Sequence, residues 1–120
     1  MITAHLSSDR IHSTSPEAFA LFEKSRFGEK ADNRIEYSWF EALFLQRKKQ
    51  MEIHSNNKKL SFESLIKKAK KHDKRIETKF SLFKNLREKG YVVKTALKFG
   101  ADFRIYKKGV KPGEDHALWL

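Results

Sequence analysis

The sequence predicts an α/β protein of the α+β type, with a small mixed domain in residues 1–72 and a helix-plus-β-sheet domain in residues 73–120. Three observations lead to this prediction. Apolar residues recur at helical spacing in two stretches, short β-branched and aromatic runs lie between polar segments, and the helical pattern lapses in a basic run near residues 70–75. With 39% hydrophobic residues and ten Phe, the 120-residue chain can form compact cores.

The first part of the chain predicts strands and then a helix. Residues 2–13 are interpreted as short strands. Ser15 followed by Pro16 predicts a helix start, because Pro tolerates the first helical position and a Ser side chain can cap free N–H groups. An apolar stripe follows and closes at Gly28. The polar stretch EKADNR, residues 29–34, is interpreted as a connection.

The middle of the chain predicts three helices and one strand. Ser38 and Glu41 have capping-box spacing ahead of the apolar residues 42–45, which predicts a helix. Residues 51–54 predict a strand, and SNNKK after it a turn. Two stripes of apolar residues at helical spacing follow, and the basic run KAKKHDKR interrupts the pattern between them. The first stripe consists of Phe62, Leu65, Ile66 and Ala69, and the second of Ile76, Phe80, Phe83 and Leu86. Gly90 suits the end of the last helix.

The final segment predicts two strands and a basic loop. Residues 91–93 and 102–107 have strand composition. Alternation places Phe103 and Ile105 inward, with Arg104 and Tyr106 as neighbours on the opposite face. The loop KKGVKPGE contains two Gly, one Pro and three Lys, and it returns the chain so that His116 comes back near the strand end.

Positive charge is concentrated in the second half of the chain. The net charge is +11, with ten Lys/Arg against eight Asp/Glu in residues 1–60 and sixteen against seven in residues 61–120. Such asymmetry suits a polyanion, since each neutralised phosphate releases counterions. A solvated basic surface, or a high Lys content for solubility or thermal stability, would give the same composition, and composition alone does not separate these explanations.

Several classes of protein are disfavoured by composition. The absence of Cys excludes disulfides and thiolate metal sites, and no apolar run approaches the ~20 residues of a bilayer span. The N-terminal segment lacks the features of a secretory signal, so we expect a cytoplasmic protein without a membrane. The four other histidines, His5, His12, His54 and His72, show no metal-ligand spacing and are interpreted as surface or packing residues.

Residues 86–120 contain LREKGYVVK, KFGADFRIY and GxxPGEDHA in order, and this run closely resembles the catalytic domain of the archaeal tRNA-splicing endonucleases. The upstream YSWFEALFL, KQMEIH and LSFESLIKKA resemble the N-terminal domain of the same family. In that family a Tyr, a His and a Lys form the active site. Tyr106 and His116 match the first two, whereas the Lys lies beyond the end of this sequence. Three explanations compete: the sequence is part of a longer protein, a second chain supplies the remainder, or the chain is a truncated subunit. We expect the first, because a sheet that stopped at ALWL would have an unpaired edge and an incomplete core.

The resemblance implies cleavage of precursor tRNA at a bulge-helix-bulge by metal-independent transesterification, leaving a 2′,3′-cyclic phosphate and a 5′-hydroxyl. Tyr106 would be the base and His116 the acid, with no metal or other cofactor. The cations expected to contact RNA are Arg104, Lys107, Lys108 and Lys111. Partners would be precursor tRNA and further endonuclease subunits, in a homo- or hetero-oligomer. Two alternatives are a noncatalytic structural subunit and a basic RNA-binding module.

Without the resemblance, the two central residues have ordinary explanations. Tyr106 would be a strand tyrosine with a wet hydroxyl, and His116 a surface loop histidine. Arg104 could pair with Asp102 on its own strand and so be structural.

Overall fold

The computed structural model describes residues 1–95 and 103–107 in full, together with the backbone of residues 118–119. The strands are β1 (Ile2–Ser7), β2 (Arg10–Ser13), β3 (Glu29–Ala31), β4 (Arg34–Tyr37), β5 (Met51–Ser55), β6 (Lys58–Lys59), β7 (Val92–Thr95), β8 (Phe103–Tyr106) and β9 (Leu118–Trp119). The helices are α1 (Pro16–Ser25), α2 (Trp39–Arg47), α3 (Phe62–Lys70) and α4 (Ile76–Glu88). The α+β class is therefore confirmed.

The first six strands form one mixed sheet in the order β3-β4-β2-β1-β5-β6. Strand β1 is central; it pairs antiparallel with β2 and parallel with β5, with Ile2 opposite Met51. The strands expected in residues 2–13 and 51–54 are confirmed. Two of the hairpin turns use residues with positive φ, at Ser8-Asp9 and Asn56-Asn57, where such short polar side chains tolerate the left-handed region.

The interpretation of residues 29–34 as a polar connection is wrong. These residues form most of the hairpin β3–β4, in which Ala31 pairs with Arg34 around the two-residue turn Asp32-Asn33. Asp32 has φ 55°, as the first position of a primed turn requires. The strand was missed because β3 is short and mostly exposed, so it carries no apolar alternation.

Helix α1 starts at Pro16 as expected, but Ser15 does not cap it. The Ser15 hydroxyl instead accepts from Thr3 N at 3.1 Å and donates to Thr3 O, which ties the helix start to β1. The helix also ends earlier than Gly28, because Arg26 takes the left-handed position with φ 54° and donates its N–H to Phe22 O.

The remaining helix predictions are confirmed. Ser38 and Glu41 form a reciprocal capping box at the start of α2. Helices α3 and α4 are separated by residues 71–75, where the apolar pattern lapses, and Gly90 with φ 96° follows the end of α4.

Aromatic residues from both halves of the chain build one core. Phe40 and Phe44 of α2 pack on Phe83 of α4 at centroid distances of 5.9 and 6.0 Å, and Phe103 of β8 meets the Phe40 ring edge-on at 5.1 Å. The second sheet, β7-β8-β9, is thereby fixed against the helices of the first half.

Candidate active site

The candidate residues in the described part of the chain lie on or just after β8. This strand pairs antiparallel with β7, with Val92 opposite Tyr106 and Lys94 opposite Arg104. On its other side β9 pairs antiparallel with it, with Trp119 opposite Arg104. Tyr106 is thus the last residue of the central strand of a three-stranded sheet.

Tyr106 is more enclosed than alternation predicts. Tyr106 is 6% exposed. Ile105 and Phe103, which face the other side of the strand, are buried as well, so both faces of β8 are covered at this end. The next residue, Lys107, is exposed and places a cation at the end of the strand. The Tyr106 side chain is therefore enclosed by its neighbours on the strand that the next cation, Lys107, follows.

Arg104 is half-buried and donates from its NH2 group to Thr95 O at 3.2 Å, across the β7–β8 pair. This bond orients the guanidinium toward the end of β7. The alternative pairing with Asp102 involves a residue outside the described part of the chain. His116, Lys108 and Lys111 also lie outside the described residues.

A buried ion pair lies beneath the β7–β8 hairpin and was not expected from the sequence. Lys94 Nζ of β7 donates to Glu41 Oε2 of α2 at 2.9 Å and to Gly28 O at 2.5 Å. The carboxylate also accepts from Gly28 N at 2.7 Å and from Ser38 N at 3.0 Å. Glu41 is 3% and Lys94 4% exposed, so the pair is shielded from water.

Electrostatics keep Glu41 ionised in spite of its burial. Burial alone would raise the pKa of the Glu41 carboxyl, but the Lys94 ammonium, the two backbone N–H donors and the Arg87 guanidinium together lower it below its usual value. The carboxylate therefore has the partners that a buried charge needs.

Arg87 of α4 extends the same group to the end of α1. Its guanidinium lies 4.0 Å from Glu41 Oε2, donates to Ser25 O at 2.7 Å and Arg26 O at 2.9 Å, and covers the Phe27 ring at 3.8 Å. A cation at a helix C-terminus is favourable because carbonyl groups are unsatisfied there. Burial lowers the pKa of Arg87 to about 10, an effect that Glu41 opposes.

Glu41, Arg87 and Lys94 together form a group that we call the buried ion cluster. The cluster connects α4 and β7 with the segment between α1 and β3, and so fixes the strand that lies opposite Arg104 and Tyr106. One sequence signal could have found it. A Lys in the strand VVKT occupies a position that is buried like its neighbours, and such a Lys requires an acidic partner.

A cleft of about 410 Å³ opens beside Arg104 and is lined also by Arg10, Tyr37 and Lys94. Burial and the nearby Glu41 carboxylate raise the pKa of Tyr37 well above its usual range, which keeps its phenol neutral. Tyr37 is therefore unsuited to act as a base.

Three histidines whose sequence spacing suggested no common site form a row across the six-stranded sheet. His12, His5 and His54 occupy paired positions on β2, β1 and β5, with ring centroids 6.0 and 6.1 Å apart. Sequence spacing could not reveal this row, because strand register creates it.

Among residues 1–95 and 103–107, no group of three His, Asp or Glu side chains could hold a metal ion. Within the described residues, no helix is long and apolar enough to cross a bilayer.

Two segments of the chain match known domains of one kind of enzyme. A model of the tRNA intron endonuclease N-terminal domain matches residues 2–66, and a model of the catalytic C-terminal domain of the same enzymes matches residues 76–120. Both matches place the chain in the endonuclease class.

Similar whole proteins include the tRNA-splicing endonucleases of Thermococcus gammatolerans, 35% identical, and Thermococcus kodakarensis, 36% identical, over all of this chain and 70% of each relative. That of Nanoarchaeum equitans is 42% identical over 67% of this chain and 56% of its own length. The chain belongs to the tRNA intron endonuclease family.

Proposed function

We propose that the protein is a tRNA-splicing endonuclease that cuts precursor tRNA at bulge-helix-bulge intron junctions. The observation that carries this proposal is the match of residues 76–120 to the family's catalytic domain, within which Tyr106 ends a buried central strand. The division into an N-terminal domain, residues 1–72, and a catalytic domain, residues 73–120, belongs to the proposal, as do a cytoplasmic location and a homo- or hetero-oligomer.

The proposed reaction is an internal transesterification. The 2′-hydroxyl of the RNA gives its proton to the Tyr106 phenolate and attacks the adjacent phosphorus, and the P–O5′ bond breaks. The leaving 5′-oxygen takes a proton from His116, so the products are a 2′,3′-cyclic phosphate and a 5′-hydroxyl. Arg104 and Lys107, close to Tyr106 along the chain, would supply positive charge near the scissile phosphate.

The strand arrangement supports a joint role for the two residues. Tyr106 ends β8, and β9, which pairs with β8, starts two residues after His116 in the sequence. The buried ion cluster supports the same proposal, because it fixes β7, the strand that pairs with β8 on its other side. We propose that Arg104, Lys107, Lys108 and Lys111 contact RNA phosphates near the scissile bond.

Cleavage of an intron-containing tRNA transcript in EDTA tests the proposal. Tyr106→Phe and His116→Ala should each lower the single-turnover rate by about 10²–10⁴-fold, the usual contribution of one positioned proton donor or acceptor. The matched control is Tyr91→Phe, which removes a phenol hydroxyl outside the candidate site and should cleave normally. The termini of the products should be a cyclic phosphate and a 5′-hydroxyl.

The alternatives predict other outcomes. A noncatalytic subunit would cleave only after addition of a second subunit, and Tyr106→Phe would then have no effect on the rate. An RNA-binding module would bind the transcript and leave it intact under every condition. Cleavage that requires Mg²⁺ would contradict the proposed chemistry.

A further inference from the structure

The strongest concentration of charge in the chain lies outside the candidate active site. Residues 58–75 contain eight Lys or Arg against two Asp or Glu, a net +6 of the chain's +11. They comprise β6, α3 and the connection to α4. Most of this segment lies within residues 1–72, the proposed N-terminal domain, and it includes none of the residues assigned to cleavage.

Few of these cations are neutralised by neighbours. Lys59 pairs with Glu52 and Lys70 with Glu77. In the described residues, the other six cations have no carboxylate within 4.0 Å; they are Lys58, Lys67, Lys68, Lys71, Lys74 and Arg75. Unpaired like charges repel one another, and an anionic ligand relieves this repulsion.

The end of α3 forms one wall of a polar cleft of about 400 Å³. Lys68, Lys71 and His72 line the cleft, together with Ser7 at the end of β1 and with Ser8 and Asn56 of the two hairpin turns. Among the described lining residues, the single carboxylate is that of Asp9, which lies 3.6 Å from His72 Nε2. The cleft thus combines cations with hydroxyl and amide donors, the groups that usually contact the phosphates and sugars of nucleic acids.

We propose that this α3 cleft, defined by Ser7, Ser8, Asn56, Lys68, Lys71 and His72, binds the phosphodiester backbone of the RNA substrate away from the scissile bond. The inference rests on the proposed function for the identity of the RNA. The cleft increases affinity and takes no part in bond cleavage. It therefore acts on binding and KM, whereas Tyr106 and His116 act on the chemical step.

A purely structural explanation makes a different prediction. Lys68 lies in the last turn of α3 and Lys71 is its C-cap residue, where a cation also stabilises the helix dipole. Lys24 and Lys89 hold the same positions, the last turn of α1 and the C-cap of α4. The double variant Lys24→Ala/Lys89→Ala is thus a control matched in charge and in helix position.

The experiment measures binding of an intron-containing tRNA transcript between 50 and 300 mM KCl. The full-length protein carries Tyr106→Phe so that the RNA stays intact. Lys68→Ala/Lys71→Ala should reduce the magnitude of the slope of log K against log salt by about 1–2, and affinity at 0.1 M salt by about 10–40-fold, as expected for two lost phosphate contacts. A second cleft variant, Lys68→Gln/Lys71→Gln, should act in the same direction.

Each outcome supports or overturns the inference. In protein with Tyr106 intact, the cleft variant should cleave at the control's rate when RNA is saturating, and its KM should rise. Affinity within twofold of the control with the same salt slope would overturn the inference. An equal loss of thermal stability and affinity in the cleft and control variants would also overturn it, since the charges would then be structural. If the unsubstituted protein cleaves nothing even after addition of a second subunit, the proposed function fails, yet the binding comparison still decides the role of the cleft.

Discussion

Breaking the buried ion cluster is expected to destabilise the fold strongly. Glu41→Gln removes the buried carboxylate beside Arg87, 8% exposed, and leaves Lys94, 4% exposed, with only the exposed Glu29 at 3.4 Å. Removal of one member of a buried pair typically costs about 3–5 kcal/mol, since the other charge stays desolvated. With an unfolding entropy of about 0.25 kcal/mol/K for 120 residues, this loss lowers Tm by about 12–20 °C.

Urea denaturation of three variants tests this reasoning at pH 7. Glu41→Gln and Lys94→Met should each be destabilised, and the double variant should lose about 1–3 kcal/mol less than the sum of the two. The matched control is the exposed pair Lys48–Glu88, whose N–O distance is 2.6 Å. Its double variant Lys48→Met/Glu88→Gln should have a much smaller effect because water screens the charges. Strictly additive losses at Glu41 and Lys94 would refute the argument.

The pH dependence of the same variant has a defined sign. The folded pKa of Glu41 is lowered, so its stabilising contribution is present above the unfolded value and is lost as pH falls. The stability difference between the unsubstituted protein and Glu41→Gln should therefore be greatest near neutral pH. It should shrink in acid, below about pH 4.3, where the unfolded carboxyl takes up its proton.

Two further predictions concern local features. Gly28→Ala should destabilise the fold by about 2–5 kcal/mol, because φ is 87° and the added Cβ would lie 2.3 Å from Ile35 Cγ2; an unchanged Tm would contradict this. Protonation of His12 should weaken the fold in acid. Burial, then Arg34 and His5, lower its pKa, so stability falls as pH drops below about 6.5, where the unfolded imidazole is protonated first. His12→Gln should show a smaller decrease in Tm between pH 7.5 and 5.5, and an identical decrease would refute the assignment.

Local signals in the sequence predicted most elements of the fold. The capping box at Ser38, Pro16 at the start of α1 and Gly90 after α4 are each set by neighbours within a few residues, and each is confirmed. The hairpin β3–β4 was missed because its outer strand is exposed and lacks alternation.

The candidate site was less predictable, because its support comes from distant parts of the chain. Glu41 and Lys94 are 53 positions apart, and Arg87 contacts carbonyls 61 and 62 positions away. Residue periodicity indicates that a strand such as β7 is buried, but it does not identify which charge compensates its Lys. The assignment of Tyr106 and His116 came from motif resemblance and stays a prediction until their variants are assayed.

The parallel pairing of β1 with β5 has a consequence for synthesis of the protein on the ribosome. Ile2 finds its partner Met51 only after about fifty residues have been added, which takes about 3–10 s at ordinary rates of translation. During this interval one edge of β1 has unpaired backbone groups, a condition that favours association between nascent chains. A translational pause between the codons for β4 and β5 would lengthen this exposure, so the yield of folded protein should depend on how fast that part of the message is read.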